Sequence, residues 1–266
     1  MKLYPALDVC AAPDAAMVLV DDFSPTALEE HAATVRLFFG SPDARDAACA
    51  ELRAHGYDSA PLDVPDEDWA RRSQENLEPV TVGRITVVPR ASASSHESAI
   101  TLTILPSMGF GTGHHVTTRL CLEALQRLDL TGRTLVDVGT GSGILAIAAD
   151  RLGTAKAIGI DMDPDALQAA RDNLAENPAV SGVEFRLADV ADARLPRADV
   201  VTANLTGALL VRSAGALMDA TAPGGLIVLS GILAEERDEV VRAFNRGTIA
   251  WEKHEDEWIG LLVSMP

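Results

Sequence analysis

The 266-residue sequence predicts an α/β fold in which helices cover a mostly parallel sheet. Three observations lead to this prediction. Strand-like and helix-like segments alternate from residue 100 onward, a glycine-rich turn joins one strand to a helix, and two strand-like segments near the carboxyl end are separated by only three residues. The alternation predicts right-handed crossovers between parallel strands, and the short final connection predicts one reversed strand.

Five predicted strands form the parallel part of this sheet. They are Thr134–Val138, Ala157–Asp161, Val183–Leu187, Asp199–Ala203 and Leu226–Ser230. Helical segments or a turn follow them, at Ile144–Leu152, Pro164–Glu176, near 190, Gly207–Ala220 and 234–245. The last two strands, Thr248–His254 and Trp258–Ser264, are predicted to pair as a hairpin.

The first 65 residues predict a small α+β domain. Strand-like residues occur at Met17–Val20 and Thr34–Phe39. A helix is predicted over Ser41–His55, because a capping serine and a proline begin it and Gly56 follows it.

Residues 66–99 are predicted to link this domain to the larger one, which spans 100–266. The linker contains a charged helix over 66–78 and a strand over Val80–Val88, around Gly83. A small, polar surface loop is predicted at 91–99.

Composition narrows the classes of partner and location. The formal net charge is -17, with 22 Lys and Arg against 39 Asp and Glu. This balance disfavours direct nucleic-acid binding and favours a basic protein partner, although acidity can also serve solubility alone. The three cysteines form no C-x-x-C pair, no apolar stretch is long enough for a bilayer, and no secretory signal is evident. We therefore expect a cytoplasmic protein without a membrane anchor.

A glycine-rich loop carries the strongest chemical signal. Gly139, Gly141 and Gly143 follow a strand and precede a helix, within the segment LVDVGTGSGILAIAA at 135–149. Glycines let the backbone turn sharply and approach a ligand, and the helix amino end presents N–H groups to it. The alternative is a tight turn without a ligand.

An acidic residue ends the next strand. Asp161 lies 20 residues after Gly141, and in doubly wound folds such a residue holds ribose hydroxyls. A purely structural role for Asp161 is the alternative. Asp163, which precedes Pro164, is instead predicted to cap the following helix.

The loop spacing and a second acid indicate which nucleotide binds. Dinucleotide enzymes use G-x-G-x-x-G, whereas this chain has G-x-G-x-G with Asp137 two residues ahead. A carboxylate there suits the cationic sulfonium of S-adenosylmethionine and would repel a pyrophosphate. We therefore predict S-adenosylmethionine as the cofactor and methyl transfer as the reaction.

Two further segments contain candidate residues. The glycine-rich segment 105–122 could close over a ligand, or could be a plain connector. Its neighbouring residues His114 and His115 lack the H-E-x-x-H pattern, so no metal site is predicted. Asn204 falls just past the carboxyl end of a predicted strand, where it could accept hydrogen bonds from an amine, or could merely cap the helix beginning at Gly207.

Residues 66–245 resemble the bacterial PrmA-type methyltransferases, a family that modifies the stalk-base protein of the large ribosomal subunit. The shared stretches are DEDW at 66–69, PVTVGRITVVP at 79–89, GFGTGHHVTT at 109–118, VDVGTGSGILAIAA at 136–149, GIDMDPDAL at 159–167, DVVTANL at 199–205 and LSGILAEE at 229–236. The chain departs from the family pattern at His114 and Val116, and its first 65 residues are divergent.

The resemblance implies a seven-stranded, Rossmann-like class I methyltransferase domain. It also implies that residues 1–65 recognise the substrate and that a helical linker connects them to the catalytic domain. Carried over by motif, the cofactor contacts are Thr118, Gly139, Asp161 and Asn204, with Phe110 and Thr112 as additions.

These observations together predict an S-adenosylmethionine-dependent N-methyltransferase. Its target would be amino groups of a ribosomal protein, either lysine side chains or the N-terminal amine, with Asn204 orienting the amine. The alternatives are a family member acting on another protein or a small molecule, and a non-catalytic cofactor-binding interaction protein. Base methylation is disfavoured because Asn204–Gly207 lacks an aromatic ring. The oligomeric state is not predicted.

Overall fold

A computed structural model describes residues 3–11, 16, 19–20, 23, 25–30, 34–65, 78–89, 99–105, 114–190 and 195–266. It contains two compact units, Met1–Glu75 and Asn76–Pro266. The predicted connecting helix and the polar loop lie outside the described residues, apart from residues 78 and 99. Phe110 and Thr112 lie outside them as well.

The first unit is a four-stranded antiparallel sheet in the order β2-β3-β1-β4 with one helix. Its elements are β1 (Leu3–Val9), β2 (Pro25–Glu30), β3 (Val35–Phe39), α1 (Pro42–Ala54) and β4 (Ser59–Pro65). One face of the sheet packs on α1, with Leu7, Leu37 and Leu52 fully buried between them. The predicted helix is confirmed, since the Ser41 hydroxyl accepts from Ala44 N at 3.2 Å.

The strand predicted over Met17–Val20 is wrong. Leu19 and Val20 are helical, and Met17 and Val18 lie outside the described residues. Four consecutive apolar residues have no periodicity that separates a buried strand from a buried helix.

The second unit begins with a three-stranded sheet in the order β5-β6-β7. It consists of β5 (Val80–Val82), β6 (Ile85–Val88) and β7 (Ile100–Thr103). The single strand predicted over Val80–Val88 is therefore two antiparallel strands. Gly83, at φ 57°, takes the left-handed conformation that reverses the chain between them.

The main sheet has seven strands in the order β10-β9-β8-β11-β12-β14-β13. They are β8 (Thr134–Val138), β9 (Lys156–Asp161), β10 (Val183–Leu187), β11 (Ala198–Asn204), β12 (Thr221–Leu233), β13 (Thr248–Glu255) and β14 (Trp258–Ser264). Of these strands, β14 runs antiparallel to both of its neighbours, as the predicted terminal hairpin requires.

Helices bury both faces of this sheet. They are α2 (Val116–Gln126), α3 (Ile144–Arg151), α4 (Pro164–Ala175), α5 (Gly207–Ala220) and α6 (Arg237–Ala243). Separate apolar clusters line the two faces, which explains the near-continuous apolar runs in the central strands. Because β8, β9 and β11 are parallel, the residues at their carboxyl ends collect at one edge of the sheet.

Candidate active site

The glycine-rich loop at this edge adopts a backbone that requires glycine. Gly139, Gly141 and Gly143 have φ values of 70°, 52° and 80°. A Cβ on Gly139 would overlap the Leu205 side chain, and one on Gly143 would lie 2.7 Å from the ring of Phe185. Positive φ values and these close neighbours together require glycine at Gly139 and Gly143.

Asp161 ties this loop to the end of β9. Its Oδ2 accepts from Gly141 N at 2.9 Å, and its Oδ1 accepts from Asp163 N at 3.0 Å. A carboxylate can accept about four hydrogen bonds, so these two bonds leave capacity for ligand hydroxyls. Asp163 caps α4 as predicted, because its Oδ1 accepts from Asp165 N at 2.9 Å.

Asp137 lies beneath the loop rather than beside a ligand surface. Its side chain is 1% exposed, and the hydroxyls of Thr140 and Thr202 donate to its two oxygens at 2.6 Å each. Burial raises its pKa to about 6, since removal of water disfavours the ionised form, although the two threonine bonds partly oppose this rise. At neutral pH, above this pKa, Asp137 is still mostly ionised and places negative charge beneath the loop.

The Asn204 segment contacts the glycine-rich loop through one side chain. Asn204 is the last residue of β11, and the next residue, Leu205, donates its N–H to Ser230 O at 3.1 Å. The Leu205 side chain packs against Gly139, and its carbonyl lies against Gly231. The capping alternative for Asn204 is wrong, because Thr206 occupies the N-cap position of α5.

Helix α2 begins near the same edge. Thr118, in its first turn, is 1% exposed. One turn later Cys121 is buried close to Asp137 and hydrogen-bonded to Ser230, and burial together with the Asp137 charge raises the pKa of its thiol. This face of α2 therefore lies against Asp137 of β8 and Ser230 of β12.

The two histidines before α2 have structural contacts. His114 Nε2 lies 2.8 Å from the Glu78 carbonyl oxygen. His115 caps α2 by accepting from Thr117 N, and its ring meets Trp258 edge-on at 5.2 Å. Among the residues that the structure describes, no group of three or more His, Cys, Asp or Glu could hold a metal ion.

Two apolar side chains flank Asp161 on the surface. Met162 is 68% exposed and Leu187 is 61% exposed. Leu187, the last residue of β10, is the register partner of Asp161. The sequence prediction missed both residues, although a methionine directly after a strand-ending acid is visible in the sequence.

The donor set at this edge fits S-adenosylmethionine. Asp161 can accept hydroxyl protons, Met162 and Leu187 offer an apolar surface for a planar base, and Asp137 supplies negative charge beneath the loop. Two carboxylates are an unfavourable setting for a pyrophosphate, as the sequence indicated.

Comparison with known proteins agrees with this fit. A family model described as ribosomal protein L11 methyltransferase (PrmA) matches residues 26–265. The chain belongs to the PrmA family. The predicted resemblance, the class I methyltransferase fold, the methyltransferase activity and the S-adenosylmethionine cofactor are confirmed.

Several PrmA relatives extend this match over most of the chain. A ribosomal protein L11 methyltransferase of Azotobacter vinelandii is 41% identical over 244 residues, which are 90% of this chain and 83% of the relative. The Geobacter sulfurreducens relative is 42% identical over 257 residues, covering 90% and 84%. The Pseudomonas paraeruginosa relative is 44% identical over 184 residues, covering 69% of this chain and 62% of that protein.

A solved structure of a ribosomal protein L11 methylase supports the fold. The crystal structure of a ribosomal protein L11 methylase from Lactobacillus delbrueckii subsp. bulgaricus has a TM-score of 0.66 and 25% identity. The match covers 71% of this chain and 99% of that chain.

In this PrmA family member, two buried amides also contact the site's framework and were missed from the sequence. Asn173 and Asn177 lie on the buried side of α4 and just after it, at positions that continue the apolar stripe of Leu167 and Ala170. Asparagine at positions where the helical pattern calls for apolar residues is the signal in the sequence that indicates them.

Proposed function

We propose that this chain methylates amino groups of a ribosomal protein, the counterpart of the L11 protein named for its relatives. The carrying observation is the contact between Leu205 and Gly139, which joins the Asn204 segment to the glycine-rich loop. A cofactor bound to the loop and an amine bound at Asn204 would therefore lie next to each other.

On the cofactor side, the proposal gives each residue one role. Gly139 and Gly141 let the backbone approach the ligand, Asp161 accepts from ribose hydroxyls, and Met162 with Leu187 covers the adenine. Asp137 provides charge for the sulfonium. The remaining proposed contacts, which rest on the motif match, are Thr118, Phe110 and Thr112.

On the amine side, the proposal requires an unprotonated nucleophile. When bound, S-adenosylmethionine supplies a methyl group on a sulfonium, which is a good leaving group. A lysine amine has a pKa of about 10.4 in water, and desolvation next to a cation lowers it. Asn204 would orient the amine by accepting its N–H, with no general base. Alignment alone can supply about 7–11 kcal/mol of the barrier.

Substrate recognition is assigned to residues 1–65, with 66–99 as linker and 100–266 as catalytic domain. The net charge of -17 supports a basic protein partner rather than nucleic acid. A cytoplasmic location belongs to the same proposal. The three cysteines, all of which are described, form no disulfide, which fits a reducing compartment. Among the described residues, no helix is long and apolar enough to cross a membrane.

Labelled methyl transfer tests the proposal. The purified chain is incubated with methyl-labelled cofactor and ribosomal proteins from cells that lack the gene, and labelled peptides are identified by mass spectrometry. The expected result is label on amines of one ribosomal protein. Label on another protein or a small molecule would overturn the substrate assignment, and cofactor binding without any transfer would favour an interaction protein.

A further inference from the structure

The two buried amides, Asn173 and Asn177, are not used by the proposed function. They are 1% and 7% exposed, and both hydrogen-bond the backbone of distant segments. A buried amide that satisfies several backbone groups fixes their relative positions, because breaking any bond leaves a desolvated polar group.

Asn177 secures a strand edge. Its Oδ1 accepts from Thr103 N at 3.0 Å, and its Nδ2 donates to Thr103 O at 2.7 Å and to the backbone oxygen of Asn173 at 2.6 Å. Thr103 is the last residue of β7, which lies at one end of the β5-β6-β7 order in the described part of the chain. The side-chain amide thus takes the place of a further strand, which is a structural role.

Asn173 instead joins two segments. Its Oδ1 accepts from Leu105 N at 2.8 Å, and its Nδ2 donates to Ser142 O at 2.8 Å. Ser142 lies between Gly141 and Gly143 in the glycine-rich loop. One planar amide therefore connects the chain after β7 to the loop proposed to bind the cofactor.

The bond from Asn173 restrains the loop from a helix, whereas two other bonds to the loop come from a neighbouring strand. Gly139 N donates to Ile160 O at 2.8 Å and Gly141 N donates to Asp161, so both of these restraints come from β9. The carbonyl of Ser142 is held from α4. Without that hydrogen bond, the peptide between Ser142 and Gly143 would sample more conformations before the cofactor binds.

We propose that Asn173 is a positioning residue for cofactor binding, acting through the Ser142 carbonyl. The inference rests on the proposed role of the glycine-rich loop. A loop that is ordered before binding loses less conformational freedom on binding, so the affinity is higher. The effect belongs to cofactor binding, and methyl transfer in the saturated enzyme should change little.

Asn177 provides the matched control. Asn173→Ala and Asn177→Ala each remove an amide that bonds the 103–105 segment, but only the first removes a bond to the glycine-rich loop. Affinity for S-adenosylhomocysteine is measured by calorimetry on the full chain, together with kcat, KM for the cofactor and the melting temperature. If the alanine variants do not fold, the corresponding serine variants replace them.

Both variants are expected to melt at lower temperature. Asn173→Ala should weaken S-adenosylhomocysteine binding and raise the cofactor KM about tenfold, which equals about 1.4 kcal/mol. Its kcat should stay within about twofold, as should the affinity of Asn177→Ala. In the unliganded protein, amide hydrogen exchange should accelerate at Leu105 in the Asn173 variant and at Thr103 in the Asn177 variant. Only the Asn173 variant should also exchange faster over 139–146.

Equal affinity losses in the two variants, or wild-type affinity in Asn173→Ala, would overturn the inference while leaving the proposed function intact. The unaltered chain is measured first, with Asp161→Asn as a variant of the cofactor site itself. Failure of the unaltered chain to bind S-adenosylhomocysteine would overturn the proposed function and this inference together.

Discussion

Asp137 shows how burial converts an ordinary carboxylate into a group that titrates near neutral pH. Its pKa rises from 3.8 to about 6 because burial removes water from the carboxylate, and the hydrogen bonds donated by Thr140 and Thr202 oppose only part of this rise. Below pH 6 the group is mostly neutral, and above it the group is mostly charged. Negative charge beneath the glycine-rich loop attracts a sulfonium and has less effect on a neutral thioether.

We therefore predict that affinity for S-adenosylmethionine rises as the pH increases from about 5 to 7, and that affinity for S-adenosylhomocysteine rises less. Calorimetry with both compounds across this range measures the difference. Asp137→Asn should remove the difference, since an amide keeps the shape without titrating. Identical pH profiles for the two compounds in the unaltered chain would exclude this role for Asp137.

Asn204 is half-buried at the end of β11, with Leu205 holding the segment in place. We predict that Asn204→Ala lowers kcat about 100-fold, because an amine that is no longer oriented reacts from poor geometries. Steady-state kinetics with saturating cofactor and protein substrate measures the loss. Thr206→Ala is the control, since Thr206 is exposed and its side chain makes no capping bond. Full turnover in Asn204→Ala with unaltered cofactor affinity would refute the assignment.

At the scale of elements, the end of β12 shapes the Asn204 segment. Gly231 has φ 81°, and a Cβ there would overlap the Leu205 carbonyl. We predict that Gly231→Ala displaces Leu205 and lowers both the melting temperature and kcat. Differential scanning fluorimetry and methyl-transfer kinetics measure the two effects.

Strand β12 offers a matched control for backbone strain. Gly224 has φ 70°, but a Cβ there would meet no atom within 4 Å. Gly224→Ala should lower the free energy of unfolding by about 1–2 kcal/mol, because alanine is strained in the left-handed conformation. It should leave kcat unchanged. Equal kcat values for the two variants would mean that the Leu205 contact does not position the segment.

Elements with strong local signals were predicted well from the sequence. Helix α5 has the predicted bounds Gly207–Ala220, because long helical periodicity starts after a strand and ends before another. The segment Val80–Val88 was harder, since a glycine in a β-rich run fits both a bulge and a hairpin turn. The structure has a hairpin, with Val82 paired to Ile85, and β6 also pairs with β7, which the local sequence does not contain.

The site was predictable where its chemistry is local and not where it depends on distant contacts. Gly139 and Gly141 follow β8, Asp161 ends β9, and the structure places all three at one edge of the sheet. The bonds of Asn173 to Leu105 and Ser142 span 68 and 31 residues, so no local pattern reveals them. The enclosure of Asp137 likewise requires Thr202 from another strand.

At the scale of the whole molecule, charge connects the sequence to the proposed substrate. The net charge is -17, which favours a basic protein as the substrate. Opposite charges on two proteins speed their encounter, and salt screens this attraction over about 8–10 Å at ordinary ionic strength.

We predict that kcat/KM for the ribosomal protein substrate falls about tenfold when salt is raised from roughly 0.05 to 0.5 M, while kcat changes little. The reason is that screening slows association and leaves the bound complex nearly unaffected. Affinity for S-adenosylhomocysteine, measured at the same salt concentrations, controls for damage to the cofactor site. A kcat/KM that is independent of salt would show that the acidic surface does not steer the substrate, and recognition would then rest on short-range contacts alone.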